Sequence, residues 1–242
     1  MTRGDILEAK FKEAIGKSNY IVFFGGAGVS TESGIPDFRS VDGLYNQKYK
    51  YPPEVMVSHS FYVSKTEEFF EFYKEKMIFQ DAKPNQAHIK LAELEQQGKL
   101  KAVVTQNIDG LHQAAGSKEV LELHGSVHRN YCEACGKKYG LDYVLNNPGV
   151  PRCETCGGIV RPDVVLYEEG LDNETLSRTI HHISKADMLI IGGTSLAVYP
   201  AAGLIDYFKG DYLVVINMAP TPRDKFADIV INKKIGEVFS SI

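Results

Sequence analysis

Four cysteines stand in two pairs, Cys132-x2-Cys135 and Cys153-x2-Cys156, with 17 residues between the pairs. Two CxxC knuckles at this separation bring four thiolates around one tetrahedral Zn2+. Gly136 follows the first pair and Gly157-Gly158 the second, where metal knuckles need tight turns. Two disulfides would need an oxidising compartment, and a redox CxxC does not explain a second one. Four protein ligands leave the metal no open position, so it is expected to fold the segment rather than to catalyse.

A second chemical stretch is Gly25 to Ser40, GGAGVSTESGIPDFRS, which begins where the apolar run Tyr20 to Phe24 stops. Glycines after a buried strand allow a tight turn and let a phosphate approach backbone amides. Ser30 and Thr31 add hydroxyls where a helix would begin, a place that favours anions. Alone the glycines are a weak signal. The usual dinucleotide fingerprint wants a small residue where Thr31 stands, and an acid about 20 positions on at a second strand end. Ile35-Pro36-Asp37-Phe38-Arg39-Ser40 is less ordinary: an acid, an aromatic and an arginine follow a phosphate-type turn.

Four more strand ends carry polar groups. Gln106-Asn107-Ile108-Asp109-Gly110-Leu111-His112 ends a short strand, where open α/β sheets place their ligands. Its amides and carboxylate suit a ribose or a carboxamide, although a polar turn with Asp109 capping the next helix is the stronger bland alternative. His124, followed by Gly125, ends Val120-Leu121-Glu122-Leu123, and an imidazole titrating near neutrality suits a general base. A lone histidine is more often structural, and His59, His88, His128, His181 and His182 are left in that class. Gly193-Thr194-Ser195-Leu196 follows an apolar run, and Asn217 ends another. With the first loop, the last two mark three strand ends on one sheet edge, the arrangement for a dinucleotide lying across it.

The elements that must position these residues follow from periodicity. Asp5 to Lys17 has helical spacing with Glu8 and Lys12 as an i,i+4 pair. Residues 41 to 64 lack a sustained period and read as a loop or small helical insert. Ser64-Lys65-Thr66-Glu67 fits a capping box opening a helix through about Met77. Asn85 to Gln97 is a helix stopped by Gly98. Residues 126 to 162 are polar and lack a period over most of their length. A strand is predicted over Asp163 to Tyr167, then a helix near Asn173 to Ser184 and the strand Met188 to Ile191. A helix near Ala201 to Phe208, the strand Tyr212 to Asn217, the strand Asp228 to Ile231 and a last helix complete the chain. This alternation predicts an α/β fold, a Rossmann-like doubly wound parallel sheet with a smaller zinc-binding and helical insert domain. The expected division gives 1–40, 80–125 and 163–242 to the dinucleotide-type domain. The insert 41–79 and the zinc module 126–162 form the small one.

The 242 residues suffice for such a core, and the net charge of −4 does not suggest nucleic-acid binding. The N-terminal residues lack the apolar run of a signal peptide. Met188 to Ile205 is uncharged over 18 residues but contains Gly192-Gly193, Pro200 and Gly203. A strand, a turn and a buried helix explain it better than a membrane span, so no membrane partner and a cytoplasmic location are expected.

The segments GAGVSTESGIPDFRS, QNIDGLH, LHG, the paired CxxC, RPDVV, GTSL and IN occur in the order found in the sirtuins. From about Ile6 to its last helix the chain resembles this family of NAD-dependent protein lysine deacylases. The resemblance implies removal of acetyl groups from lysine side chains with consumption of NAD, giving nicotinamide and O-acetyl-ADP-ribose. It implies NAD contacts from Gly26, Ala27, Gly28, Thr31, Asp37, Phe38 and Arg39, with Phe38 shielding the reactive face. Gln106, Asn107, Ile108 and Asp109 would hold the nicotinamide and its ribose, with Asn107 and Asp109 counted as catalytic alongside His124. His124 would activate a ribose hydroxyl. Gly193, Thr194, Ser195, Asn217, Met218 and Ile235 would line the adenosine side. One structural Zn2+ on Cys132, Cys135, Cys153 and Cys156 is implied too. The acyl-lysine peptide would lie as an added strand near Val164 to Tyr167 and Val198.

Two departures qualify the resemblance. Tyr167-Glu168-Glu169 stands where relatives often read FGE. Desuccinylating relatives have Tyr-x-x-Arg in the acyl pocket, whereas this chain has Tyr73-Lys74-Glu75-Lys76. An ammonium is a poorer bidentate partner for a carboxylate than a guanidinium, so acetyl is expected over succinyl, with longer acyl chains open. Other classes are mono-ADP-ribosyl transfer at the same NAD site, a zinc-bearing NAD sensor without turnover, and a hydride-transferring dehydrogenase. The first would leave adenosine label on protein, the second would bind without turnover, and the third would generate NADH absorbance.

Overall fold

The computed structural model describes residues 3–38, 43–44 and 49–242. Among them run nine strands: β1 (Ile21–Gly25), β2 (Leu100–Thr105), β3 (Val120–Glu122), β4 (Gly125–Cys132), β5 (Lys138–Tyr139), β6 (Val160–Val164), β7 (Met188–Gly192), β8 (Tyr212–Ile216) and β9 (Ile229–Ile231). Six of these pair in parallel in the order β3-β2-β1-β7-β8-β9. This is the doubly wound Rossmann order, and it reverses between β1 and β7, the switch point where such sheets bind ligands.

Strand β1 sits at the centre because both of its faces are buried. Alternate side chains point to opposite faces, so Ile21 and Phe23 enter one core while Val22 and Phe24 enter the other. The helices are α1 (Arg3–Lys17), α2 (Pro53–Met56), α3 (His59–Ser64), α4 (Thr66–Phe72), α5 (Gln86–Gln96), α6 (Leu111–Ala114), α7 (Leu141–Asn146), α8 (Asn173–Lys185) and α9 (Ile235–Ser240). Phe11 of α1, Leu91 of α5 and Phe239 of α9 cover the first face. Ile183 of α8 and a 3-10 helix at Ala201–Tyr207 cover the second. A third core joins Phe61, Phe69, Phe70 and Tyr73 from α3, α4 and the turn after it to Val127, Val144 and Val160 beside the cysteines.

Several local expectations change. The ion pair within α1 is Glu13–Lys17 at 2.7 Å, while Glu8 reaches across to Lys233 at 2.6 Å. No capping box opens α4. Ser58 caps α3 six residues earlier (Phe61 N to Ser58 Oγ, 3.2 Å), so Ser64 ends that helix and its hydroxyl donates back to the Ser60 carbonyl. The next helix is α-helical to Phe72 and reaches the expected end at Met77 as a π-helical turn, Tyr73–Met77. The strand expected over Asp163–Tyr167 does not enter the parallel sheet. Val160–Val164 pairs antiparallel with β4 in a three-stranded sheet, β5-β4-β6, because the two cysteine knuckles at its far end bring those strands together. The segment 126–162, without a period in sequence, contains three strands and α7. No helix among the described residues is long and apolar enough to cross a membrane. Met188–Ile205 is β7, a turn and the first residues of the 3-10 helix.

Candidate active site

The glycines after β1 are needed for packing between two loops. Gly28 N donates to the Gly193 carbonyl (2.8 Å), and a Cβ on Gly28 would lie 2.8 Å from that oxygen. Gly193 itself has φ +57, and a Cβ there would come within 2.4 Å of Val29 N. The turns after β1 and β7 therefore interlock at the switch point, and only glycine allows that approach.

Ser30 carries more of the site than its sequence context suggests. It is 1% exposed, donates from Oγ to Asp109 Oδ2 at 2.7 Å, and accepts from Asn107 Nδ2 at 3.0 Å. It joins the loop after β1 to the loop after β2 and aims both polar side chains. Its hydroxyl is visible in the sequence, but its two partners are 77 and 79 residues away. Both carboxylate oxygens of Asp109 are engaged within the protein. Oδ2 takes Ser30, and Oδ1 accepts from Leu111 N (2.9 Å) at the start of α6. Gln106 Nε2 donates to Thr194 Oγ1 at 3.1 Å, linking the loop after β2 to the loop after β7. Exposed His128 donates from Nε2 to the Asp109 carbonyl at 3.1 Å, a second neighbour with no distinguishing context in the sequence.

His124 leaves β3 and precedes Gly125, the first residue of β4. Its Nδ1–H donates to the Gln106 carbonyl at 3.0 Å. That bond fixes the tautomer and leaves Nε2 as the proton acceptor. Burial lowers the imidazole pKa from its ordinary 6.5, and the bond to Gln106 opposes part of that shift. The neutral, basic form is thus the one present at neutral pH. Gly125 has φ +76, and a Cβ there would stand 1.9 Å from the Asp163 carbonyl oxygen. Gly125→Ala is therefore expected to cost about 3 kcal/mol or more from backbone conformation and overpacking. It should also displace His124. Chemical denaturation alongside an activity assay checks this, and wild-type stability would mean that β4 and β6 are not in this register.

All the described residues expected to contact the cofactor border one cavity of about 760 Å³. They are Gly26, Ala27, Gly28, Thr31, Asp37, Phe38, Gln106, Asn107, Ile108, Asp109, His124, Gly193, Thr194, Ser195, Asn217, Met218 and Ile235. Arg39 lies outside the described residues. Val164–Tyr167 and Val198 border the same cavity. The sequence departure at this rim has a structural counterpart. Glu168 adopts φ +76, a conformation that favours glycine, and its carboxylate accepts from Ser60 N (2.8 Å) and Ser60 Oγ (2.6 Å). Glu169 receives Arg161 Nη2 (2.5 and 2.6 Å), His59 Nδ1 (2.7 Å) and Leu166 N (2.9 Å). The two acids bind the rim to α3 and β6.

Away from the cavity, the four cysteine sulfurs lie within 4.8 Å of one another, with Cys132–Cys156 at 3.4 Å and Cys135–Cys153 at 3.7 Å. These separations exceed a disulfide bond of about 2.05 Å. They match the edge of about 3.8 Å of a tetrahedron with Zn–S bonds of about 2.3 Å. The two knuckles are built alike: Gly136 N donates to the Cys132 carbonyl and Gly157 N to the Cys153 carbonyl, both at 2.8 Å. Tyr139 donates its hydroxyl to Cys153 Sγ at 3.0 Å, as suits a thiolate. The donor set fits one Zn2+ with no vacant ligand position.

Comparisons place these features among known proteins. The model of the Sir2 family matches residues 26–200. The chain is 62% identical over 236 residues to an NAD-dependent protein deacetylase of Clostridium acetobutylicum, covering 96% of each. It is 53% identical to one of Cutibacterium acnes, covering 94% of each. Among solved structures, it superposes on a Sir2–p53 peptide–NAD+ complex with TM-score 0.84 at 42% identity, covering 96% of this chain and 95% of that one. A Sir2 bound to acetylated peptide gives TM-score 0.86 at 40% identity, with the same coverage.

Proposed function

Because the chain belongs to the Sir2 family and is an NAD-dependent protein deacetylase, we propose how its own residues divide the work. NAD, consumed as co-substrate, supplies the electrophilic ribose carbon to which the acetyl oxygen of the lysine substrate adds as nicotinamide leaves. The turns after β1, β2 and β7 hold it across the switch point. Asn107 and Asp109, aimed by Ser30, orient the nicotinamide end. His124 Nε2 accepts the proton of a ribose hydroxyl, and its Nδ1 bond to Gln106 keeps that lone pair turned to the cavity. Thr194, Ser195, Asn217, Met218 and Ile235 serve the adenosine end. The enzyme's main contribution is to orient the two substrates and exclude water. The observation that carries this assignment is the bonded set Ser30–Asn107–Asp109, on the same cavity as His124.

The acetyl-lysine peptide, by this proposal, lies as an added strand along Val164–Tyr167. It sits between the Rossmann-like domain (1–40, 80–125, 163–242) and a small domain made of 41–79 and 126–162. The shared third core supports treating those two segments as one unit. A cytoplasmic setting belongs to the same proposal, since four free cysteines suit zinc in a reducing compartment.

Incubating the protein with an acetyl-lysine peptide, with and without NAD, tests the reaction by mass spectrometry. NAD-dependent loss of acetyl should be matched by nicotinamide and O-acetyl-ADP-ribose. NAD turnover without peptide deacetylation would overturn the assignment.

The acyl pocket allows a further prediction. Tyr73 and Lys76 border the cavity, and Lys76 Nζ is already paired with Glu75 at 2.8 Å. A succinyl carboxylate would meet a neutralised ammonium in place of a guanidinium fork. We expect a higher kcat/KM for acetyl-lysine than for succinyl-lysine, with Lys76→Arg narrowing the gap. A wild-type preference for succinyl would reverse this choice.

A further inference from the structure

Beneath the loop after β1 lies a polar cluster, part-buried at Asn85 and buried at its two histidines, that the site described above does not use. Asn85 is the N-cap of α5: its Oδ1 accepts from Ala87 N at 3.0 Å, and its own N–H donates to His88 Nδ1 at 3.2 Å. The two residues form a reciprocal capping box, with histidine where glutamate or glutamine is usual. The side-chain Nδ2 of Asn85 plays no part in that cap. It donates to the Val29 carbonyl at 2.8 Å and to Ser33 Oγ at 3.0 Å. Val29 and Ser33 flank Ser30, the residue that holds Asn107 and Asp109. A helix cap needs only an acceptor, which aspartate or serine would supply equally well. The donor directed at the loop is therefore a separate property of this side chain.

His88 anchors the backbone of Asn85. It is fully buried, and with Nδ1 accepting, its proton sits on Nε2. Its ring packs against His112 at 4.7 Å between centroids, edge to face. His112 is 1% exposed and stands on α6, three residues after Asp109, and its ring also meets Phe23 of β1 at 5.9 Å. One contiguous set thus joins the loop after β1, the start of α5 and the turn that carries Asp109.

We propose that Asn85, oriented by His88, is a positioning residue for NAD. It fixes the Val29 carbonyl and the Ser33 hydroxyl, so that Ser30 keeps both of its bonds without NAD having to order the loop. This rests on the assignment of that loop to NAD.

The test is steady-state kinetics on the zinc-loaded enzyme, with NAD varied at saturating acetyl-lysine peptide, for Asn85→Asp, His88→Leu, His88→Gln and Ser30→Ala. Asn85→Asp retains the acceptor that caps α5 but loses both donated bonds. It should raise KM for NAD by about tenfold or more, the worth of one to two hydrogen bonds, with kcat falling by much less and melting lowered only slightly. His88→Leu should reproduce the KM effect, and His88→Gln, which restores an ordinary capping box, should rescue it. An unchanged KM for NAD in Asn85→Asp would overturn the proposal. So would a raised KM accompanied by equally large losses of kcat and melting temperature without rescue by His88→Gln, which would mark a purely structural cap. Ser30→Ala separates the two levels: if it raises KM while Asn85→Asp does not, only the positioning role fails. If neither variant moves KM for NAD, the loop is not the NAD site.

Discussion

Replacing His124 with alanine is expected to lower kcat for deacetylation by about 10²- to 10⁴-fold, the usual contribution of a positioned general base. Fold and zinc content should stay as they are. The expectation comes from geometry. Nδ1 is committed to the Gln106 carbonyl at 3.0 Å, so Nε2 is the only ring atom that can accept a proton. Its electrostatics give a second readout. A base works only when deprotonated, and burial lowers the pKa of this imidazole from 6.5. Activity should therefore rise with pH as the imidazolium loses its proton, with the midpoint of the acid limb of kcat/KM below pH 6.5. Product analysis by mass spectrometry and a pH–rate profile check both points. A variant within about threefold of wild type would assign the proton transfer to another group, and an acid limb centred above the ordinary histidine value would mean that His124 is not the titrating base.

Removing zinc is expected to have the largest effect on structure. Structural zinc sites contribute about 10–16 kcal/mol of apparent binding free energy in isolated peptides, against about 5–15 kcal/mol for the whole stability of a typical domain. Cys132 and Cys153 belong to the third core, together with Phe69, Phe70 and Tyr73. Chelation, or Cys153→Ser, should thus loosen α3 and α4 as well as residues 126–162, while the six-stranded sheet keeps its protection. Hydrogen exchange followed along the chain would show this pattern, and deacetylation should be lost because the rim at Val164–Tyr167 hangs on β6 and α3. A metal-free preparation with native activity and melting would refute the structural role. Zinc stoichiometry of one per chain is the accompanying measurement.

Much of the site is legible in the amino-acid sequence, for reasons that lie in local chemistry. The CxxC pairs declare a metal because thiolate number and spacing are properties of sequence. The ends of β1, β2, β7 and β8 are readable because a β-branched or aromatic run followed by glycine or a polar residue marks a strand feeding a turn. The run after Pro162 points to the wrong sheet for the complementary reason. An apolar run states that it is buried but not which strand it will pair with, and β6 takes its partner from the knuckle closure. The capping box expected at Ser64 does not form because Ser58 starts a helix six residues earlier, a competition between two serviceable caps that spacing cannot settle.

By itself, the sequence determined the fold class, the zinc ligands, the family resemblance and the residue types available at each strand end, because each rests on short-range periodicity or on motif spacing. Only the tertiary structure decided which of those residues act together. Ser30 meets Asn107 and Asp109, Gln106 meets both Thr194 and His124, and Asn85 reaches back to Val29 because parallel strands far apart in the chain are neighbours in the sheet. Hydrogen bonds of about 3 Å between such residues depend on sheet order and register, which no local pattern encodes.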